Sequence, residues 1–347
     1  MTAIAAEQLN AFRPAKGVAL VRAWLLLVAF MVYAMILVGG ATRLTDSGLS
    51  ITEWKPLLGA FPPMNEAAWK EAFAKYQSMT AQYHQLNPNM DLGGFKGIYW
   101  WEWSHRELGR LIGVAFAVPL IFFWLTGRTT KKLLPHLIIL FVLGGLQGLI
   151  GWWMVSSGVN SDLTSVAPYR LMTHFALALL IICYCFWLWL ELGATPRGTP
   201  KQASPWANAL IWIAGIQMAL GALVAGLDAG RGYTDWPLMA GRIVPEAMWA
   251  YDPFWRNFFE NEATTQFLHR FTAYALLLTS LWTAWKFRTA HWSLFVLFAG
   301  LVTAQALLGI ATLMHAAPLD MSLTHQALGT VVLLAATRLL WTARKSP

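Results

Sequence analysis

Charge and cysteine are both scarce in this chain. Of its 347 residues only 12% are Asp, Glu, Lys or Arg, while 57% are hydrophobic and the mean hydropathy is +0.49. So few charges cannot clothe a water-facing surface, and the same figures exclude disorder, collagen and coiled coil. Two cysteines exclude a disulfide-stapled secreted scaffold. Cys183 and Cys185 stand two apart in one apolar run, where a helix points them to different faces, and they read as inert packing residues. Acidic residues are short as well: 17 face 25 Lys and Arg, for a net charge of +8 and a pI near 9.6. Such a surplus fits either a polyanion partner or a lipid-embedded chain with basic loops, and the placement of the charges decides between them.

Long apolar runs are what the sequence has in quantity. A bilayer core needs roughly 20 apolar residues per helical crossing, and eight windows qualify: 20–41, 104–126, 134–155, 169–191, 206–227, 265–286, 291–313 and 319–341. The first is a full span flanked by Arg13, Lys16 and Arg22 with no small-residue cleavage site, so it reads as a retained helix rather than a signal peptide. The N-terminus, the connections near 127–133, 192–205 and 286–290, and the C-terminal tail hold 13 of the 25 basic residues but only Glu7 and Glu191 among the acids. By the positive-inside rule that side is cytoplasmic and holds both termini. The basic pI is thereby a topology signal, and nucleic acid is not an expected partner. Two Trp-, Pro- and Gly-rich segments, 42–103 and 228–264, are too polar to span and are expected to cap the outer face.

The chain also repeats itself. An offset of 182 pairs Gly39 with Gly221, Asp46 with Asp228, Gly48 with Gly230, Thr52 with Thr234, Glu53 with Asp235, Trp54 with Trp236, Gly59 with Gly241 and Pro63 with Pro245. Further on the offset shortens, pairing His105-Arg106 with His269-Arg270, Gln147 and Gly151 with Gln305 and Gly309, and Thr173-His174 with Thr324-His325. The expected fold is an all-α membrane protein with eight transmembrane helices in two tandem pseudo-symmetric four-helix bundles, 20–192 and 206–342. A cytoplasmic segment 1–19, a cytoplasmic linker 193–205 and a tail 343–347 complete the chain. Four crossings per copy is an even number, so the repeat is parallel, with its axis along the membrane normal.

Histidine inside a membrane helix is costly and marks function by default. His105, His174, His269 and His325 lie at one depth, near the outer ends of helices 2, 4, 6 and 8. Each unit therefore offers two imidazoles from separate helices, the donor set that clamps a haem iron from both faces. Interfacial hydrogen bonding is the plain alternative for one histidine, and is harder to hold for two repeated pairs. His84, His136, His291 and His315 have no repeated mate and read as surface or interfacial residues. Zinc or copper would want three or four clustered ligands, which neither unit supplies. Haem propionates call for arginine, and Arg106, Arg110 and Arg170 in the first unit and Arg270 in the second are candidates, with lipid phosphate as the other use. Gly109, Gly113, Gly144, Gly145, Gly148 and Gly151 would admit a flat ring or only let helices pack.

The copies differ at one telling place. Glu102 precedes His105 by three residues, whereas Gln266 precedes His269 by three. A carboxylate beside a haem edge can steady a developing cation or move a proton, and an amide cannot ionise. The first unit reads as the chemical site and the second as a redox centre, unless Glu102 merely pairs with Arg106 one turn on.

These residues carry a family likeness. Gly39-Gly40-Ala41-Thr42-Arg43-Leu44-Thr45 with Ser47-Gly48-Leu49-Ser50, the run from Phe95-Lys96 through Ile98-Tyr99-Trp100-Trp101-Glu102-Trp103-Ser104-His105-Arg106, and Gly226-Leu227-Asp228-Ala229-Gly230, together with the four histidines, resemble haem A synthases over nearly all of 20–342. The resemblance implies an oxidoreductase that converts the C8 methyl of haem O to a formyl group by successive hydroxylations, making haem A for terminal oxidases. It implies catalytic Glu102, His105 and His174 around the substrate haem, and haem b held by His269 and His325. It further implies a bacterial inner membrane location with the haem sites toward the periplasm. A haem O synthase and oxidase assembly factors are the implied protein partners; a second copy of the chain is a further candidate partner, on which the sequence itself is silent. Some relatives carry paired cysteines in the outer loops; this chain has none there and resembles the cysteine-poor branch. The rivals are a di-haem cytochrome b that takes electrons from quinol, which needs no carboxylate in one unit only, and a haem transporter.

Overall fold

The computed structural model describes residues 16–55, 58–193, 203–289 and 292–344. Most of the expected N-terminal segment and linker, the last three residues of the tail, and His291 lie outside that range. Among the described residues the chain is helical and forms no strand, only two isolated bridges. The long helices are α1 (Val18–Leu44), α2 (Leu92–Leu125), α3 (Leu134–Val155), α4 (Pro168–Glu191), α5 (Ser204–Gly226), α6 (Glu262–Lys286), α7 (Trp292–Met314) and α8 (Leu319–Arg344).

Seven of these are long and apolar enough to cross a membrane. The exception is α6, whose 25 residues suffice in length but include Thr264, Thr265, Gln266, His269, Arg270, Ser280 and Thr283. The chain is an integral membrane protein.

Packing follows the repeat. Helix α1 lies against α2 and α4, and α3 bridges α2 and α4; likewise α5 lies against α6 and α8, and α7 bridges those two. The halves meet where α4 touches α5 and α8, and α8 touches α1. One continuous apolar core joins them, drawn from Val21, Leu25 and Val28 of α1, Ile182, Cys185 and Leu188 of α4, Leu210 of α5, and Leu333, Ala336 and Leu339 of α8. All of these lie toward one end of the bundle. Lipid tails are as apolar as leucine, so close packing and a few polar links hold such helices together rather than exclusion of water. At the opposite end the links are polar. Gln326 Nε2 of α8 donates to the Ile36 carbonyl of α1 at 2.7 Å. Arg43, at the end of α1, donates to Asp228 Oδ2 at 2.6 Å, to the Gly226 carbonyl at 3.2 Å and to Asp46 Oδ1 at 3.1 Å. Asp46 and Asp228, a repeated pair, both take the left-handed conformation (φ 50° and 52°) that lets a short polar side chain end a helix. One arginine thus ties the two copies of a helix stop together. Burial, opposed by the Arg43 charge, leaves the Asp46 carboxyl above its ordinary value.

The spans fall close to the windows expected from hydropathy, except that α2 begins at Leu92 rather than near 104. Asp91 caps it by accepting from Gly94 N at 2.7 Å. The added three turns carry Phe95 and Tyr99 into a buried aromatic cluster with Trp69 and Tyr76 of the short helix Glu66–Met79. Hydropathy reports the thickness of lipid a helix crosses, and it is blind to a helix that continues beyond the lipid into an aromatic cap. The second outer segment is organised differently, around two buried asparagines. Asn257 Nδ2 donates to the carbonyls of Tyr251 and Phe254, and Asn261 Nδ2 to that of Ala247, while Asn261 Oδ1 caps α6 at Thr264 N. Trp236, Trp249, Phe254 and Trp255 stay exposed on this segment, as befits an aromatic belt at a membrane boundary.

Candidate haem-binding site

The four repeated histidines stand at the polar end of the bundle, one each on α2, α4, α6 and α8. His105 lies within electrostatic reach of His174, and His269 of His325, so each half brings its own pair together. All four are partly exposed.

Each imidazole faces a glycine on a neighbouring helix. A methyl group placed on Gly151 would lie 2.9 Å from Cε1 of His174; on Gly221, 3.1 Å from Cε1 of His269; on Gly309, 2.7 Å from Cε1 of His325; and on Gly39, 3.0 Å from Nε2 of His105. Gly39 and Gly221 are repeat mates on α1 and α5, and Gly151 and Gly309 on α3 and α7. No other residue lets backbone and ring approach so closely. Gly309→Ala is therefore expected to displace His325 and lower haem content several-fold. Gly300→Ala on the same helix, where a methyl group meets nothing within 4 Å, should leave it unchanged; absorbance per protein in the purified chain checks both.

Three of the four histidines also hold a glutamine amide. Gln147 Nε2 donates to the His174 carbonyl at 3.0 Å and lies 3.4 Å from its Nε2. Gln305 Nε2 donates to the His325 carbonyl at 2.9 Å and lies 3.1 Å from its Nδ1. Gln217 Nε2 lies 3.1 Å from Nδ1 and 3.2 Å from Nε2 of His269.

Glu102 and Gln266 occupy matching places and work with opposite polarity. Glu102 is 2% exposed, and its two oxygens accept four hydrogen bonds: from Ser50 Oγ and Ile51 N, both at 2.7 Å, and from Arg106 Nη2 at 2.6 Å and Nε at 3.1 Å. The pairing with Arg106 forms, and it is joined by the bonds from Ser50 and Ile51. Gln266 Nε2 instead donates to the carbonyls of Ala229 at 2.8 Å and Tyr233 at 3.0 Å, and its Oε1 accepts from Arg270. Each side chain anchors the outer segment of its own half onto the helix that carries the histidine.

The arginines complete that anchoring. Arg106 donates to the carbonyls of Ile51 and Glu53, and Arg270 to those of Tyr233, Asp235 and Leu238. Both sets include the repeated positions 51/233 and 53/235. Arg110 pairs with Glu107 and the Lys55 carbonyl. Arg170 donates to the Trp153 carbonyl at 2.7 Å, with its guanidinium 4.7 Å from the Trp153 ring centre. Nε of Arg170, on the helix of His174, and Nε of Arg270, beside His269, are buried without partners, as are Nε of Arg22 and Arg43 and Nε1 of Trp103. Among the described residues no three His, Cys, Asp or Glu side chains gather into a metal cage. Paired imidazoles against glycine, with an unpartnered guanidinium donor nearby in sequence or on the same helix, fit a planar iron macrocycle with carboxylate arms.

Relatives agree with that chemistry. Residues 22–337 match the COX15-CtaA family, described as cytochrome oxidase assembly protein. The chain belongs to this family. It is 54% identical over 326 residues to the heme A synthase of Hyphomonas neptunium, covering 93% of each chain. The heme A synthase of Chelativorans sp. is 47% identical, with 91% of this chain and 89% of that one covered, and that of Mesorhizobium japonicum 46%, with 92% and 90% covered.

Gln147, Gly151, Gln305, Gly309, Gly39 and Gly221 stand out in the sequence as repeated residues, but the contact each makes with a histidine appears only in three dimensions. Gln217 was missed because its mate at the 182-residue offset is Met35, so a search for identities passes over it. Its place four residues before Gly221, on the same helix face, was the available signal. The unrepeated His136 bonds Tyr184, and His315 the Ala311 carbonyl, as residues outside the site.

Proposed function

We infer that the chain is a membrane oxidoreductase of haem A biosynthesis, oxidising the C8 methyl of haem O to a formyl group. Family membership over residues 22–337 and likeness to heme A synthases along more than nine-tenths of the chain support the activity. The observation that carries its placement in the molecule is the twice-built clamp, two histidines per half with each ring seated on a glycine.

In the finer reading α6 crosses the membrane with the other seven helices, so eight crossings form two tandem four-helix bundles. Its polar residues are covered by neighbours, Thr264, Thr265, Gln266, Ser280 and Thr283 being buried. Residues 20–192 hold the substrate haem between His105 and His174, and 206–342 hold haem b between His269 and His325. Haem b, when bound there, supplies one-electron transfer. His269 and His325 would hold that haem, and two histidine ligands would suit electron transfer. Arg170 and Arg270 offer their unpartnered Nε–H to propionates; Arg106 acts mainly through the outer segment it ties down, and Arg110 stands at the mouth of the first site.

Glu102 stands three residues before His105 on the same helix. Four donors converge on its two oxygens, and steadying a developing positive charge is the role its surroundings favour. Both termini are cytoplasmic in this reading, and the sites open toward the periplasmic face of a bacterial inner membrane. A haem O synthase delivers the substrate, and oxidase assembly factors take the product.

The deciding experiment is chromatography of the pigments extracted from the purified chain, with a pyridine haemochrome spectrum. Haem b together with haem O or haem A is expected. Haem b alone in an active quinol oxidoreductase would favour a di-haem cytochrome, and uptake of unaltered haem into vesicles would favour a transporter.

A further inference from the structure

Three of the four clamp histidines touch a glutamine amide and one does not. Gln217 on α5 reaches His269, but the matching position on α1 is Met35, and no hydrogen bond to the His105 ring forms among the described residues. The Met35 methyl instead meets α2 at Gly109, one turn beyond His105, where an added methyl group would lie 3.3 Å from it. The ring of His105 is also turned differently. It presents Nε2 and then Cδ2 toward its glycine, whereas His174, His269 and His325 all present Cε1 and then Nδ1.

The amides have chemistry to spare. Oε1 of Gln147, Gln217 and Gln305 is buried without a partner in each case. A histidine that gives one ring nitrogen to a metal must place the N–H on the other, and such ligands nearly always donate it to a carbonyl or carboxylate, which fixes the ring plane. In three cases a free carbonyl oxygen sits on the amide that already touches the ring. A thioether accepts such a bond only weakly.

Building on the reading of the two halves given above, we propose that Gln147, Gln217 and Gln305 are positioning residues that lock His174, His269 and His325, and that Met35 leaves His105 as the exchangeable axial ligand. The second half then holds its haem on two braced imidazoles, as a permanent electron carrier requires. The first half holds its haem on one braced and one loose imidazole, as a substrate that must leave requires. Met35 and Gln217 thereby set which half exchanges its haem.

The reciprocal substitutions test this in the full-length protein, purified with haem b and titrated with haem O. Carbon monoxide added to the reduced protein is the probe, because it binds only where an axial ligand yields. In the unsubstituted chain the haem O site is expected to react and the haem b site to stay inert. Met35→Gln is expected to slow the first site's reaction roughly tenfold or more, the scale on which such supporting contacts act. Gln217→Met is expected to make the haem b site reactive and to broaden its low-spin electron paramagnetic resonance signal. A wild-type reaction confined to haem b, or unchanged carbon monoxide binding in Met35→Gln, overturns the proposal; the second result decides even where Gln217→Met fails to fold. Failure to bind haem at all would instead defeat the function on which the proposal rests.

Discussion

Glu102→Gln is expected to abolish formyl product, by about a hundredfold or more, and to lower thermal stability in the same protein. The reason lies in hydrogen-bond polarity. Every group facing Glu102 is a donor: Ser50 Oγ–H, the Ile51 N–H and two nitrogens of Arg106. An amide at that place turns an NH2 toward one of them, and leaves a largely buried guanidinium without its counter-charge. Hydrogen bonds to charged groups contribute about 1.5–3 kcal/mol each, and breaking a buried pair from one side costs about 3–5 kcal/mol. Arg106 is still held by the carbonyls of Ile51 and Glu53, which places the loss toward the lower of these figures. The repeat explains why Gln serves well at 266: there the facing groups are the carbonyls of Ala229 and Tyr233. Gln266→Glu should accordingly destabilise the second half by setting a carboxylate against two carbonyl oxygens. Pigment chromatography and thermal melts of both variants, measured together, check the pair. Full product formation in Glu102→Gln would remove this carboxylate from the chemistry.

Much of this molecule is legible in its sequence, because a bilayer imposes one length and one polarity on every crossing. Seven helices fell where apolar runs place them, and the repeated histidines mark one end of the bundle without any knowledge of packing. What stayed hidden is polar and local. The start of α2 depends on the Asp91 cap and on Tyr99 meeting Trp69, with ring centres 4.8 Å apart; both lie beyond the lipid, where hydropathy carries no signal. The backbone carbonyls that Arg106 and Arg270 hold were equally hidden, since an arginine beside a histidine says nothing of which carbonyls fold over it. The glycine beneath each histidine sits on a different helix, 66 residues away for Gly39 and 23 for Gly151, so no spacing within one helix reveals the contact. Gln217 was invisible for the opposite reason: its importance lies in differing from its mate.

Removing both imidazoles of one half should remove one pigment and leave the fold standing. In the double variant His269→Ala with His325→Ala, haem b is expected to disappear while the first half still takes up haem O, and formyl product should fall below detection because no carrier remains to move electrons. The fold survives because the shared apolar core, from Val21 and Leu25 to Leu333 and Leu339, lies at the other end of the helices. The lost imidazoles leave only weak amide contacts unmade, worth about 1 kcal/mol each. Far-ultraviolet circular dichroism with haem stoichiometry checks this, and a melted apoprotein would show that haem b is instead part of the folding core. The reciprocal variant, His105→Ala with His174→Ala, should keep haem b but show a small spectral shift in it. Helix α1 provides the route for that shift. Gly39 abuts His105 and its neighbour Gly40 abuts Gln326, which stands next to His325 on α8 and bonds the Ile36 carbonyl of α1. Two consecutive glycines of one helix thus touch a clamp histidine of one half and the sequence neighbour of a clamp histidine of the other, and in the proposed division of roles α1 is the wall through which a change at the first clamp reaches the second.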